Sequence, residues 1–260
     1  MIDWLYSLPE LLLMVLPATT LVLLLVGLSW IVHRALKIEF TDLQVDFVMR
    51  VEITLFSMTS IVLAFTLVQT DINYRQADAL VSAEGSRIEQ FDRLLARYGD
   101  PQVARLRSVL KDYTRSIVDH EWPAMLNNAD NERTNRIYTA LSQQLLAVDP
   151  ATPRQSLIFS EILKSLDATA ESRAARLNAV TVGLPSLYWE VIAFASAMLI
   201  VVGSLAATSR FRTLVLALQL ISLGAFIGFV FIMDRPFQGR HAIVPDTFQK
   251  VLVYMERRTD

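Results

Sequence analysis

The sequence predicts an all-α, multi-pass membrane protein with four transmembrane helices in a 2+2 order and an extramembrane helical bundle between helices two and three. Two observations predict this. Leu11 to Val32, Ile53 to Thr70, Val191 to Ala207 and Thr213 to Met233 contain no Asp, Glu, Lys, Arg or His, and each is close to the roughly 20 helical residues that cross a bilayer core. Between the second and third stretches the charges return, while apolar residues recur at helical spacing. Composition agrees. At 53% hydrophobic residues and a net charge of −2, with a mean hydropathy of +0.39, the chain is too apolar for an ordinary soluble domain and too balanced for a nucleic-acid binder.

Residues 1–70 read as an N-terminal transmembrane hairpin with spans at about 11–32 and 51–70. No Lys or Arg precedes Leu11, so the first run lacks the basic region of a cleaved signal peptide and is expected to stay as a helix. Pro17 lies near its start, and Trp30, His33, Arg34 and Lys37 mark its exit into the headgroup layer. No Gly or Pro interrupts the second span before Gly85, so that helix is expected to continue out of the membrane as one rod.

Residues 71–186 read as an extramembrane four-helix bundle. Ile88, Phe91, Leu95 and Tyr98 form the stripe of a first helix, and Val103, Leu106, Leu110, Tyr113 and Ile117 that of a second, with Gly99-Asp100-Pro101 as the turn. Ile137, Leu141, Leu145 and Val148 mark a third. Phe159, Ile162, Leu166, Ala170, Leu177 and Val180 mark a fourth, ended by Gly183 and Pro185. Residues 187–233 form a C-terminal transmembrane hairpin opened by Leu187-Tyr188-Trp189, and 234–260 a C-terminal tail. Neither strand-like alternation nor an internal repeat is visible. The basic residues flanking the spans divide between both sides, so charge alone leaves the orientation open.

Several function classes fall away. The chain has no cysteine, which removes disulfides, thiolate metal sites and thiol catalysis. None of His33, His120 and His241 has a second His at ligand spacing, and the consecutive Asp119-His120-Glu121 point in different directions on a helix. No phosphate-binding glycine loop, nucleophile elbow or zinc-protease motif is present, so the reading is of a protein that is not an enzyme, with no cofactor and no metal site.

The residues that point to function lie on the spans. The second is the most polar, with Thr54, Ser57, Thr59, Ser60, Thr66, Gln69 and Thr70. Ser57, Ile61, Ala64, Phe65 and Val68 share one side and are pore-lining candidates; alternatively, the hydroxyls bond their own backbone and the face simply packs. Ala193, Ala197 and Ser204 on the third span, and Gly224 and Gly228 on the fourth, offer close-approach faces for helix packing, within one subunit or between subunits. Glu190 and Asp234 sit at span ends, where snorkelling or pairing with Arg competes with a role in ion movement. Asp71 and Arg75, one turn apart, fit a local ion pair.

Four phrases taken together carry a resemblance: Ala64-Phe65-Thr66-Leu67-Val68-Gln69 running to Tyr74; Leu106 to Tyr113 continuing to Glu121-Trp122-Pro123-Ala124-Met125; Arg173 to Leu177 before Leu184-Pro185 and Trp189; and Asp234-Arg235-Pro236-Phe237-Gln238-Gly239. From about residue 45 to 250 the chain resembles the bacterial bestrophin-like domain family, placed by name beside the ring-shaped, mostly anion-conducting bestrophin channels. The resemblance implies a homo-oligomer in the bacterial inner membrane with the bundle in the cytosol. It also implies a second membrane helix lining the path, with an inorganic ion as permeant. Where those channels use three apolar residues one turn apart, Ile61 and Phe65 are here followed by Gln69, and no acidic run matches their calcium clasp.

Physically, Glu121-Trp122-Pro123 is expected to end or kink the second bundle helix, and Asp234, Arg235, Pro236, Phe237 and Gly239 to turn the chain sharply after the fourth span. Both read first as structural corners and second as gating elements. The leading reading is therefore an ion channel or channel-like protein whose bundle forms a vestibule or regulatory ring. The alternative is a membrane-anchored helical scaffold or sensor without a pore.

Overall fold

The computed structural model describes residues 9–35, 40–126, 129, 131–239 and 241–258; Lys37 and Arg240 lie outside them. The described residues are helical, with no strand among them. Helix α1 spans Glu10–Trp30 and continues through a π-helical turn, Ile31–Ala35. Helix α2 runs unbroken for 57 residues, Asp42–Tyr98. Next come α3 (Pro101–Ser116), a π turn (Ile117–Glu121), α4 (Trp122–Leu126), α5 (Glu132–Leu146) and α6 (Pro153–Ala179). Helices α7 (Ser186–Ala206), α8 (Arg210–Met233) and α9 (Asp246–Arg257) complete the chain. Four of these, beginning at Glu10, Asp42, Ser186 and Arg210, are long and apolar enough to cross a membrane.

The chain divides into two compact units, one of residues 1–74 and 183–241, the other of 75–182 and 242–260. In the first, Leu21 and Leu25 of α1, Leu63 of α2, Leu199 and Ile200 of α7, and Leu216, Leu220 and Leu223 of α8 build the core. Helices α1 and α8 meet most closely. Pro17 has no N–H to give the carbonyl one turn before it. There, Gly228 faces the Leu13 carbonyl and Gly224 faces Ala18, each so near the backbone of α1 that a Cβ would overlap it. Glycine at both positions is what permits the contact.

The second unit uses local chemistry to start its helices. The Asp100 side chain accepts from Gln102 N–H at the head of α3, and Thr152 with Gln155 forms a reciprocal capping box at the head of α6. Gly99 takes φ 80° between α2 and α3. Gly85 does not interrupt α2. A Cβ on Gly85 would overlap Thr247 of α9, so this glycine serves close packing between two helices.

Of an end or a kink at Glu121-Trp122-Pro123, the chain shows an interruption: α3 stops at Ser116, Trp122 N–H bonds the Ile117 carbonyl, five residues back, and this wider turn carries the chain into α4. Proline tolerates this place because the first residues of a new helical segment need no N–H bond within it. One expectation is corrected: 234–260 is not only a tail. Phe248, Val251 and Met255 repeat at helical spacing and bury one face of α9 in the second unit.

Candidate functional site

The membrane-span half of α2 has two faces. Glu52, Thr59, Leu63, Thr66 and Thr70 are buried against the rest of their unit. Ser57, Ile61, Ala64, Phe65 and Val68 are all exposed, with Ile61 at 57%, Phe65 at 71% and Val68 at 57%. Ile53 and Ile72 extend that row at the same spacing. The hydroxyls divide no such way. Thr54, Ser57, Thr59, Ser60 and Thr66 each bond the carbonyl four residues back, whichever face they occupy. The outward face therefore presents mainly carbon, with Gln69 and Asn73 bonded to each other one turn further on.

On α7, Ala193 and Ala197 are exposed rather than tightly packed, and they border an apolar groove of about 520 Å³ against Leu13, Pro17 and Leu21 of α1. The α7 residues that close onto neighbours are Ile192, Ser196, Leu199 and Gly203, one helical face on which Ile192 and Leu199 supply most of the apolar area. Ser204 is buried, and its carbonyl takes part in a 3.0 Å contact with His33 Nε2 at the far end of α1. Gly224 and Gly228 lie in the α1 contact already described.

The turn after α8 is a built corner. Leu184 N–H donates to Asp234 Oδ1 at 2.6 Å, and the Trp189 side chain bonds the same carboxylate. Burial raises the Asp234 pKa above the usual carboxylate value, opposed by these bonds and by Arg235. Gln238 N–H donates to the Arg235 carbonyl, Gly239 takes φ 85°, and Pro236 and Phe237 are buried. Glu190 is exposed. Glu10, at the start of α1, lies 3.0 Å from His241 Nε2.

The second unit holds a charge cluster that periodicity alone does not reveal. Arg176 of α6 is completely buried. Its Nε meets Glu84 Oε2 of α2 at 2.5 Å, and its Nη2 meets Glu121 Oε1 of the π turn at 2.5 Å. Arg173 Nε donates to Glu121 Oε2 at 2.9 Å, with Nη2 of the same side chain on the same oxygen. Trp122 and Phe248 each place a ring 5.6 Å from the Arg176 guanidinium. Burial opposes the charge on Arg176, but Glu84 and Glu121 outweigh it and raise its pKa. Two arginines and two glutamates thus balance within a sealed site. The corner Glu121-Trp122-Pro123 is where the π turn delivers a carboxylate to that site. The signal available in the sequence was the pair Arg173 and Arg176, three apart on an otherwise amphipathic helix; Glu84 gave none. Asp119 and His120 of the same turn point elsewhere, lining a groove of about 500 Å³ with Arg115 and Arg133.

This architecture matches known proteins over nearly its whole length. A crystal structure of a bacterial bestrophin homologue from Klebsiella pneumoniae superposes with a TM-score of 0.60 at 17% identity, covering 92% of this chain and 97% of that one. A single-site mutant of a bestrophin homologue from the same organism gives 0.66 at 12% identity, covering 95% and 98%. A further crystal structure, described as that of a membrane protein, gives 0.64 at 13% identity, covering 95% and 98%. These likenesses show a shared fold. No curated protein sequence matches the chain significantly. The family model of the bestrophin-like domain matches residues 19–248, and the chain belongs to that family.

Proposed function

We propose that the protein is an ion channel, assembled as a ring of identical subunits in which the outward face of α2 lines the conducting path. Four spans cross the inner membrane as two hairpins, and the helices between the second and third span lie in the cytosol. The single observation that carries this reading is the row Ser57, Ile61, Phe65 and Val68, exposed on one face of the span richest in hydroxyl side chains while the opposite face is packed. In one chain these residues have no protein neighbour to cover them, and an axial ring gives each a place facing its symmetry mates. Kinship with bestrophin homologues of the same fold supports the reading.

The intact mass of the complex, measured in nanodiscs with in-membrane crosslinking, tests the ring. A closed assembly of four or more subunits is the expected result. A monomer or dimer removes the axial path and returns the row to a packing surface for another partner.

A further inference from the structure

Glu52 belongs to the buried face of α2, at 2% exposure, and the Gln219 side chain of α8 hydrogen-bonds it. With that bond made, Glu52 Oε2 and Gln219 Oε1 are both buried without a partner among the described residues. Both are acceptors, so the pair is one donor short. Glu52 stands at the edge of the charge-free run of α2, and Gln219 nine residues beyond the start of α8; burial between the helices, rather than depth in the bilayer, keeps the Glu52 carboxyl from water. Around them lie Val48, Met49, Leu55 and Phe56 of α2 and Leu216, Leu220 and Leu223 of α8.

The described charged groups on the surrounding helices are paired with others or turned outward. Asp46 of α2 pairs with Arg212 of α8 at 3.5 Å. Arg34 after α1, Asp42 and Arg50 of α2, Arg210 of α8 and Glu190 of α7 are exposed. Glu10 and His33 of α1 meet His241 and the Ser204 carbonyl. A carboxylate without a counter-charge in an apolar interior is stabilised by accepting a proton. The proton removes the charge and supplies the missing donor, and the acid O–H can reach an amide whose oxygen and nitrogen exchange places by a simple flip.

We propose that Glu52 is a proton-binding site inside the membrane-spanning unit, taking one proton from water to become a neutral carboxylic acid hydrogen-bonded to Gln219. Loss of that proton leaves an uncompensated carboxylate against Gln219 and loosens α2 from α8. Because Ser57, Ile61 and Phe65 occupy the other face of the same helix, the site couples protonation to the position of that face. This last step rests on the proposed ion path; the proton site itself does not.

Infrared difference spectra of the reconstituted full chain across a pH titration test it without measuring flux. Wild type is expected to show a protonated-carboxyl band at neutral pH that disappears in Glu52→Gln and persists, shifted, in Glu52→Asp. Glu52→Gln, the neutral isostere, is expected to fold, to melt with wild type and to lose the pH dependence of melting. Absence of that band from wild type, or a Glu52→Gln protein that misfolds or melts well below wild type, overturns the proposal. Unaltered spectra and melting with no ion flux would sink the channel reading alone.

Discussion

Arg176 Nη2 donates to Glu121 Oε1 across 2.5 Å, joining the middle of α6 to the last residue of the π turn where neither side chain reaches water. The same guanidinium holds Glu84. Removing it leaves Glu121 with Arg173 alone and takes from buried Glu84 the guanidinium that holds it. Arg176→Ala is expected to destabilise the protein by about 3–5 kcal/mol, the usual cost of an orphaned buried charge. Arg176→Lys is expected to recover only part of this, since an ammonium cannot match the guanidinium's planar fork of donors. Thermal unfolding in nanodiscs measures both; an Ala variant as stable as wild type would refute the assigned role.

Gly85 makes a different demand on the same unit. Its missing Cβ is the space that Thr247 occupies. Gly85→Val is expected to push α9 off α2, at a cost of about 1–3 kcal/mol for overpacking. Hydrogen exchange should rise across residues 246–257 and stay unchanged in α5. Equal protection of α9 in both proteins would contradict the close approach.

Gly224 and Gly228 permit the α1 contact, and each backs onto peptide backbone rather than a side chain that could turn aside. Gly224→Leu is expected to separate α1 from α8 and lower the melting temperature more than Ala193→Leu does, because Ala193 is exposed along a groove. Similar losses from the two variants would count against this packing.

Tyr138 gives a pH-dependent signature. Its hydroxyl donates to the Leu166 carbonyl at 2.6 Å. Burial, helped by Asp167, pushes its pKa up to about 12. The folded value lies above the ordinary phenol value of about 10, so the protonated form is favoured by folding. Its contribution to stability is complete below about pH 10 and is lost as pH rises through the folded pKa of about 12. Ultraviolet titration near pH 11 should show fewer phenolates in the folded than in the unfolded chain, with Tyr138, Tyr113 and Tyr98 all held protonated by burial; Tyr138→Phe should narrow that difference by its own share and leave the rest.

The spans were legible because a long charge-free run has few alternatives, and the outward row on α2 was legible because Ser57, Ile61, Phe65 and Val68 keep helical spacing. What stayed hidden depends on pairing across distance. Glu84 and Glu121 stand 92 and 55 residues from Arg176, and nothing local distinguishes them from solvated glutamates. Glu52 was masked by the same logic. It adjoins the charge-free run and reads as its edge, whereas packing against Gln219 draws it inside. Ala193 and Ala197 stay exposed within one chain, since small size permits close packing but does not compel it. At Pro123, the rule that proline breaks helices gave way to a π turn, a local rearrangement that sequence periodicity cannot specify.

The absence of cysteine makes one measurement the most direct test of the ion path. In a reconstituted protein carrying Phe65→Cys as its single thiol, a charged, water-soluble thiol reagent is predicted to modify the residue and to change ion flux, while Thr66→Cys on the buried face does neither. Modification of Phe65→Cys only by lipid-soluble reagents, with flux unaltered, would place that face in the bilayer and contradict the account.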